Sequence, residues 1–168
     1  MTTSTRWLSA EEQRAWRAYL RAARLLADVL EAQLQRDSGM PHAYYEILVR
    51  LSEAPERTLR MTQLAGRTGS SRSRLSHAVA RLEERGWVER RSCPTDKRGQ
   101  LAVLTDAGFE ALADAAPGHV ERVRTALLDP LTPAQIDQLR RISDRIADSL
   151  EAELAEQPDD RDRPLTHG

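Results

Sequence analysis

The order of local signals between Met61 and Gly99 is what most limits how this chain can fold. Thr62 can cap a short helix over Gln63 to Thr68, which stops at Gly69. Ser71 can cap a second helix in which Leu75, Val79 and Leu82 recur on one face, and Gly86 ends it. Two runs of strand character follow, Trp87 to Ser92 and Gln100 to Leu104, joined by Cys93-Pro94-Thr95-Asp96-Lys97-Arg98-Gly99, which has turn chemistry. A short helix, a glycine turn and a second capped helix are the parts of a helix-turn-helix; a hairpin with a basic tip directly after it makes the winged form. In such a unit Leu64 and Ala65 pack on Leu75 and Val79, and the N-terminal half of the second helix is shaped to enter a major groove.

The flanks read as helix. Ser9-Ala10-Glu11-Glu12 is a capping box, and Trp16, Tyr19, Leu20, Ala23, Leu26, Leu30 and Leu34 follow at helical spacing until Gly39 and Pro41. A second helix is expected from His42 to Glu53, with Tyr44, Leu48 and Leu51 on one face, stopped by Pro55; Thr58-Leu59-Arg60 is a short extended piece. Thr105-Asp106 starts another helix carrying Leu112, Val120, Val123 and Leu127, which Pro117-Gly118 should kink or interrupt. Thr132-Pro133-Ala134-Gln135 is a second capping box, continued by Leu139, Ile142, Ile146, Leu150 and Leu154.

The expected fold is therefore mainly α with a small β-hairpin wing (α+β), a winged helix-turn-helix with dimerisation helices at both ends. The expected division is an N-terminal dimerisation helix over 1–40, the winged unit over 41–104, C-terminal dimerisation helices over 105–156, and a polar, flexible tail over 157–168. The apolar stripes of the first and last helices are too long for so small a unit to cover by itself. Packing on the winged unit within one chain is the simpler use of them. A homodimer interface uses them fully and places two reading helices on a palindromic site.

Charge is unevenly placed. From Arg57 to Arg98 there are eleven basic residues and four acids, a local excess of +7 in a chain of formal net charge −1. Such segregation marks a surface for a polyanion. The chain holds 24 Arg and one Lys, so the Arg count alone says less than the segregation of sign. No apolar run approaches the ~18 residues of a membrane span, and the N-terminus lacks the apolar stretch of a secretory signal. Cys93 stands alone, which excludes an internal disulfide and fits a cytoplasmic location. His42, His77, His119 and His167 show no metal-ligand spacing with one another or with Cys93, and there is no nucleophile elbow or phosphate-cradling glycine loop. No enzyme, metal or cofactor is expected.

The candidate contacts to double-stranded DNA are Arg72, Ser73, Arg74, Ser76, His77 and Arg81, which point away from Leu75, Val79 and Leu82, together with Thr62, Ser70 and Ser71 near the helix N-termini and Lys97 and Arg98 at the hairpin tip. Arg can fork to guanine O6 and N7, and serines at a helix N-terminus suit a phosphate. A module that docks on protein instead of DNA shares much of this pattern; a steep loss of affinity with salt separates the two.

The motifs Leu64-Ala65, Ser71-Arg72-Ser73, Arg81-Leu82-Glu83-Glu84-Arg85-Gly86-Trp87-Val88-Glu89-Arg90, and Asp96-Lys97-Arg98-Gly99 running into Leu104-Thr105 resemble the MarR (multiple antibiotic resistance regulator) family from the first helix to about Leu154. The resemblance implies a transcriptional regulator, usually a repressor, that is a homodimer with interdigitated N- and C-terminal helices. It implies a wing Arg, here Arg98, in the minor groove, with Asp96 bracing the wing. It also implies a small aromatic effector near the junction of the dimer and DNA-binding regions, for which Trp16, Tyr19, His42 and Tyr45 are candidates. Helical spacing alone also accounts for these as core aromatics, with His42 at the start of its helix. Some family members sense oxidants through a cysteine near the N-terminus. Cys93 lies instead at the wing base beside Arg90 and Arg91, where cations favour a thiolate.

Overall fold

A computed structural model describes residues 5–93 and 96–156, without the side chains of residues 97, 98, 155 and 156. The expected turn at Pro94 and Thr95, the expected tail 157–168 and the side chains of Lys97 and Arg98 lie outside the described residues.

Helix α1 (Ala10–Ser38) starts at the predicted capping box: Ser9 Oγ accepts the Glu12 N–H at 3.2 Å and the Glu12 carboxylate accepts the Ser9 N–H at 2.7 Å. Gly39, at φ +59°, turns the chain, and its N–H reaches the Gln35 carbonyl at 3.0 Å. The next helix, α2 (His42–Ser52), follows Pro41, which has no side-chain cap to offer. Glu31 of α1 accepts the His42 N–H at 2.8 Å instead, so the first helix caps the second.

Strand β1 (Thr58–Arg60) runs straight into α3 (Met61–Arg67). The cap position is Arg60, whose N–H donates to Gln63 Oε1 at 3.2 Å; Thr62 lies inside the first turn and is not the cap expected from the sequence. Pairing of Arg60 with Leu101 holds Arg60 extended up to the helix start, leaving no residue between strand and helix to serve as a separate cap. After α4 (Arg72–Glu84) come β2 (Val88–Cys93) and β3 (Asp96–Leu104). The sheet is antiparallel with order β1-β3-β2, so the wing is a three-stranded sheet built on the expected extended piece. Strand β3 starts at Asp96, earlier than the expected Gln100. Ser92 faces Gln100 while Cys93 faces Asp96, so Lys97, Arg98 and Gly99 form a bulge in a strand and not a free turn. Gly99 is closely approached there: a Cβ on it would sit 3.0 Å from Asp96 Oδ2 and 3.1 Å from Cys93 Cβ.

Helix α5 (Asp106–Val123) runs through Pro117 without interruption and ends in a π-type turn over Arg124–Leu128. Of the kink or interruption expected at Pro117-Gly118, the interruption is absent, and the helix packs along α1 there. Gly118 lies against α1, with a Cβ position 3.3 Å from Gln33 Nε2. The buried face of α5 is Gly108, Leu112, Ala115 and His119, while Val120 is 55 % exposed. One core joins Leu34 and Met40, Leu48 and Leu51, Leu64, Leu75, Val79, Leu82, Val88, Leu104, Leu112 and Ala115.

Helix α6 (Pro133–Glu156) begins at the predicted box, with Gln135 N–H donating to Thr132 Oγ1 at 3.3 Å and Thr132 N–H to Gln135 Oε1 at 2.9 Å. Every residue of it through Leu154 is exposed. Among the described residues, the apolar stripe Ile136, Leu139, Ile142, Ile146, Leu150 and Leu154 has no cover, and neither do Trp16, Tyr19 and Leu20 of α1. No helix of the described residues is long and apolar enough to cross a membrane.

Candidate nucleic-acid interface

Ser71 caps α4, its Oγ accepting the Arg74 N–H at 3.3 Å. Gly69, at φ +59°, makes the turn from α3, and the Ser70 N–H closes it on the Ala65 carbonyl at 3.1 Å. A left-handed residue at this position costs glycine nothing sterically. Leu75, Val79 and Leu82 are at most 1 % exposed, so the opposite face of α4 is forced outward. Arg72, Ser73, Arg74, Ser76, His77 and Arg81 are all exposed on it; Ser70 and Ser71 are half-buried at its start, and Thr62 is exposed on α3.

Most of the basic excess is engaged inside the chain. Arg57 pairs with Asp106 at 3.0 Å and lies 4.0 Å over the Phe109 ring. Arg60 Nη1 is 3.5 Å from Asp96 Oδ2, which ties the start of β3 to the start of α3. Arg85 sits 4.8 Å over Trp87 and donates to the Gly39 carbonyl at 3.3 Å. Arg81 donates to both oxygens of Glu84, at 2.7 and 3.1 Å, and that carboxylate holds its pKa above the ordinary value. Arg90 is held by Glu83 and Arg91 by Glu89. Among the described residues, Arg67 and Arg74 are exposed cations with no partner in the chain. Arg74 stands one turn into α4. Arg67 ends α3 beside the Gly69 turn, and it was legible only as part of the charge excess. An open cleft of about 310 Å³ lies between α3, α4 and the wing, lined by Arg60, Thr62, Arg72, Ser76, Asp96 and Gln100 among others.

The four aromatic candidates separate into two places. Trp16 and Tyr19 stack on each other at 6.4 Å on the exposed part of α1. His42 and Tyr45 meet His119, with ring centroids at 5.6 and 4.4 Å. Since His119 Nδ1 bonds Gln33 Oε1 at 3.3 Å, the two groups are separated by the length of α1 between Trp16 and Gln33, roughly 25 Å at 1.5 Å per residue. His119 carried no sequence signal, being a lone histidine on a helix. Cys93 is buried at the wing base.

Burial, and then the neighbouring His42, lower the pKa of His119; Tyr45 and the Gln33–Asp37 pair face it from α2 and α1. A histidine with a lowered folded pKa resists a proton that the unfolded chain accepts at about 6.5. Stability is therefore retained above that value and falls as pH drops below it toward the folded pKa. Thermal melting between pH 8 and pH 5 is expected to show this loss, and His119→Gln to flatten it. Parallel curves for the two proteins would remove His119 as its source.

The sequence and fold place the chain among known regulators. Sco3205, a MarR family transcriptional regulator from Streptomyces coelicolor solved in complex with DNA, is 58% identical, with 89% of this chain and 93% of that chain covered and a TM-score of 0.85. The chain belongs to the MarR family. A MarR family model matches residues 38–99 of this regulator, the stretch from the end of α1 to the wing bulge. AbsC, a MarR family transcriptional regulator from Streptomyces coelicolor, is 43% identical over 88% of this MarR chain and 99% of AbsC, with a TM-score of 0.83. The transcriptional repressor MprA of Escherichia coli (strain K12) is 26% identical over 119 residues, 71% of this chain and 67% of that protein. Like these relatives, the chain is a MarR-family transcriptional regulator with the winged-helix fold, and not an enzyme.

Proposed function

We propose that this regulator is a homodimer that binds a palindromic double-stranded DNA operator by sequence, represses the adjacent promoter, and is released by a small aromatic effector. The outward face of α4 carries the reading: a capped helix presents exposed, unpartnered Arg74 among Ser73, Ser76 and His77, above a fully packed inner face. The DNA complex of Sco3205 and the repressor MprA support it from outside the chain. Ser70, Ser71 and Thr62 suit phosphate contacts, and Arg72 serves phosphate or base beside the cleft. Lys97 and Arg98 reach the minor groove or backbone from the wing, and Asp96 acts as a brace through Arg60. The cluster of His42, Tyr45 and His119 at the meeting of α1, α2 and α5 is the better place for the effector than Trp16 and Tyr19, because it touches both the winged core and the outer helices.

Selection of bound sequences from random duplex DNA with the purified protein tests the sequence-specific, palindromic DNA reading. A palindrome with half-sites about one turn apart is the expected product. On that operator Arg74→Ala is expected to cost about 1–3 kcal/mol and to relax one base position. Arg98→Ala is expected to weaken binding across sequences and to lower the salt slope by ~0.9 for each phosphate contact removed. Binding unaffected by both changes would displace the interface from this face.

A further inference from the structure

A polar strap joins the reading helix to the wing, and the surface described above does not use it. Arg90 lies on β2 two residues after the core residue Val88, on the same face of the strand. Its backbone N–H donates to Glu83 Oε1 at 3.0 Å, its Nε lies 3.3 Å from Glu83 Oε2, and its Nη2 donates to the Ser76 carbonyl at 2.6 Å. Glu83 and Ser76 are seven residues apart on α4, about 10 Å along the helix axis. One wing residue is thus held at two points two turns apart. The side chains are 25 % and 33 % exposed, the most enclosed ion pair among the described residues, so solvent and salt screen it less than the pairs around it.

A two-element reader needs its helix and wing at one fixed separation, since a contact displaced by ~1 Å is largely lost. The apolar contacts of Val79, Leu82 and Val88 hold the elements together but are non-directional. The strap supplies direction. It spends on the protein's own helix a guanidinium that charge counting assigns to DNA.

Resting on the DNA reading above, we propose that Arg90 and Glu83 are positioning residues: they set the separation of α4 from the wing and so couple reading of the half-site core to the wing's contact on the flanking duplex, with neither residue touching DNA. The test measures the full-length protein on its selected operator, and on operators with a scrambled flank or a scrambled core, as a function of salt. Arg90→Ala and Glu83→Gln are each expected to lower affinity at least tenfold at temperatures well below their melting points, with the slope of log K against log salt unchanged. The double variant should be no weaker than Arg90→Ala alone. Discrimination against the scrambled flank should collapse while discrimination against the scrambled core persists. Glu83→Gln keeps an acceptor for the Arg90 N–H and carries the test if Arg90→Ala does not fold. A salt slope reduced by ~0.9 in Arg90→Ala would make Arg90 a phosphate contact and overturn the proposal. Full affinity in a folded Glu83→Gln, or intact flank discrimination in both variants, would overturn it too. Failure of the wild-type protein to select any sequence would instead remove the DNA reading itself, and the strap's role with it.

Discussion

Gly108→Ala is expected to be the most destabilising single methyl in this protein, at about 3 kcal/mol. Gly108 sits in the first turn of α5, where its N–H meets the capping Thr105 Oγ1 at 3.0 Å. A Cβ there would lie 2.1 Å from the Trp87 carbonyl oxygen and 2.8 Å from Leu104 Cδ1. The carbonyl is main chain and already accepts the Thr105 N–H at 3.1 Å, so it cannot swing aside as a side chain would. The α5 N-terminus must back away, breaking that bond and loosening Leu104 and Leu112 from the core. The ordinary preference for Ala over Gly in a helix returns only about 1 kcal/mol. At fixed protein concentration, thermal melting should fall by about 6–12 °C. Gly66→Ala is the control: Gly66 is helical with nothing within 4 Å of its Cβ position, and the same change there should raise stability by about 0.5–1 kcal/mol. A neutral Gly108→Ala would mean that α5 does not seat on the wing base as described.

The second large effect concerns assembly. Ile142 and Ile146, 58 % and 44 % exposed, lie on the uncovered stripe of α6, away from the Arg140–Asp137 and Arg140–Asp144 pairs. Ile142→Asp with Ile146→Asp is expected to convert a dimer to a monomer in analytical ultracentrifugation. Operator affinity should fall by 10²–10⁴-fold, since each reading helix then binds without the effective concentration its partner provides. Because α6 adds nothing to the core, the winged unit should keep its fold by circular dichroism. A double variant that stays dimeric would assign the stripe another role.

Much of this architecture was legible because its signals are local. Both capping boxes, the Gly39 and Gly69 turns, and the inner face Leu75, Val79 and Leu82 each rest on a few neighbouring residues. The outward face of α4 followed from the inner one by helical geometry alone. Which cations on it are available to a partner did not follow. Arg81 and Arg74 look alike in sequence, yet Glu84 holds one and none of the described residues holds the other. Arg57, Arg85 and Arg90 count equally as charge, but each is spent on a contact with another element, Arg85 on the Gly39 carbonyl at the end of α1.

The sequence by itself determined the order of elements, the turns between them and the faces that must be buried, because caps, glycines and apolar periodicity act over one or two turns. Only the tertiary structure decided the rest. Thr62 lost its cap role because β1 pairs with β3. Pro117 stayed inside a helix because α5 is packed along α1. Asp96, Lys97, Arg98 and Gly99 became a bulged strand and not a loop tip, through pairing with β2. His119 joined Tyr45 and His42 across 74 residues or more of chain. For Thr62 and Pro117 a contact between distant segments outweighed a local preference worth a few kcal/mol at most.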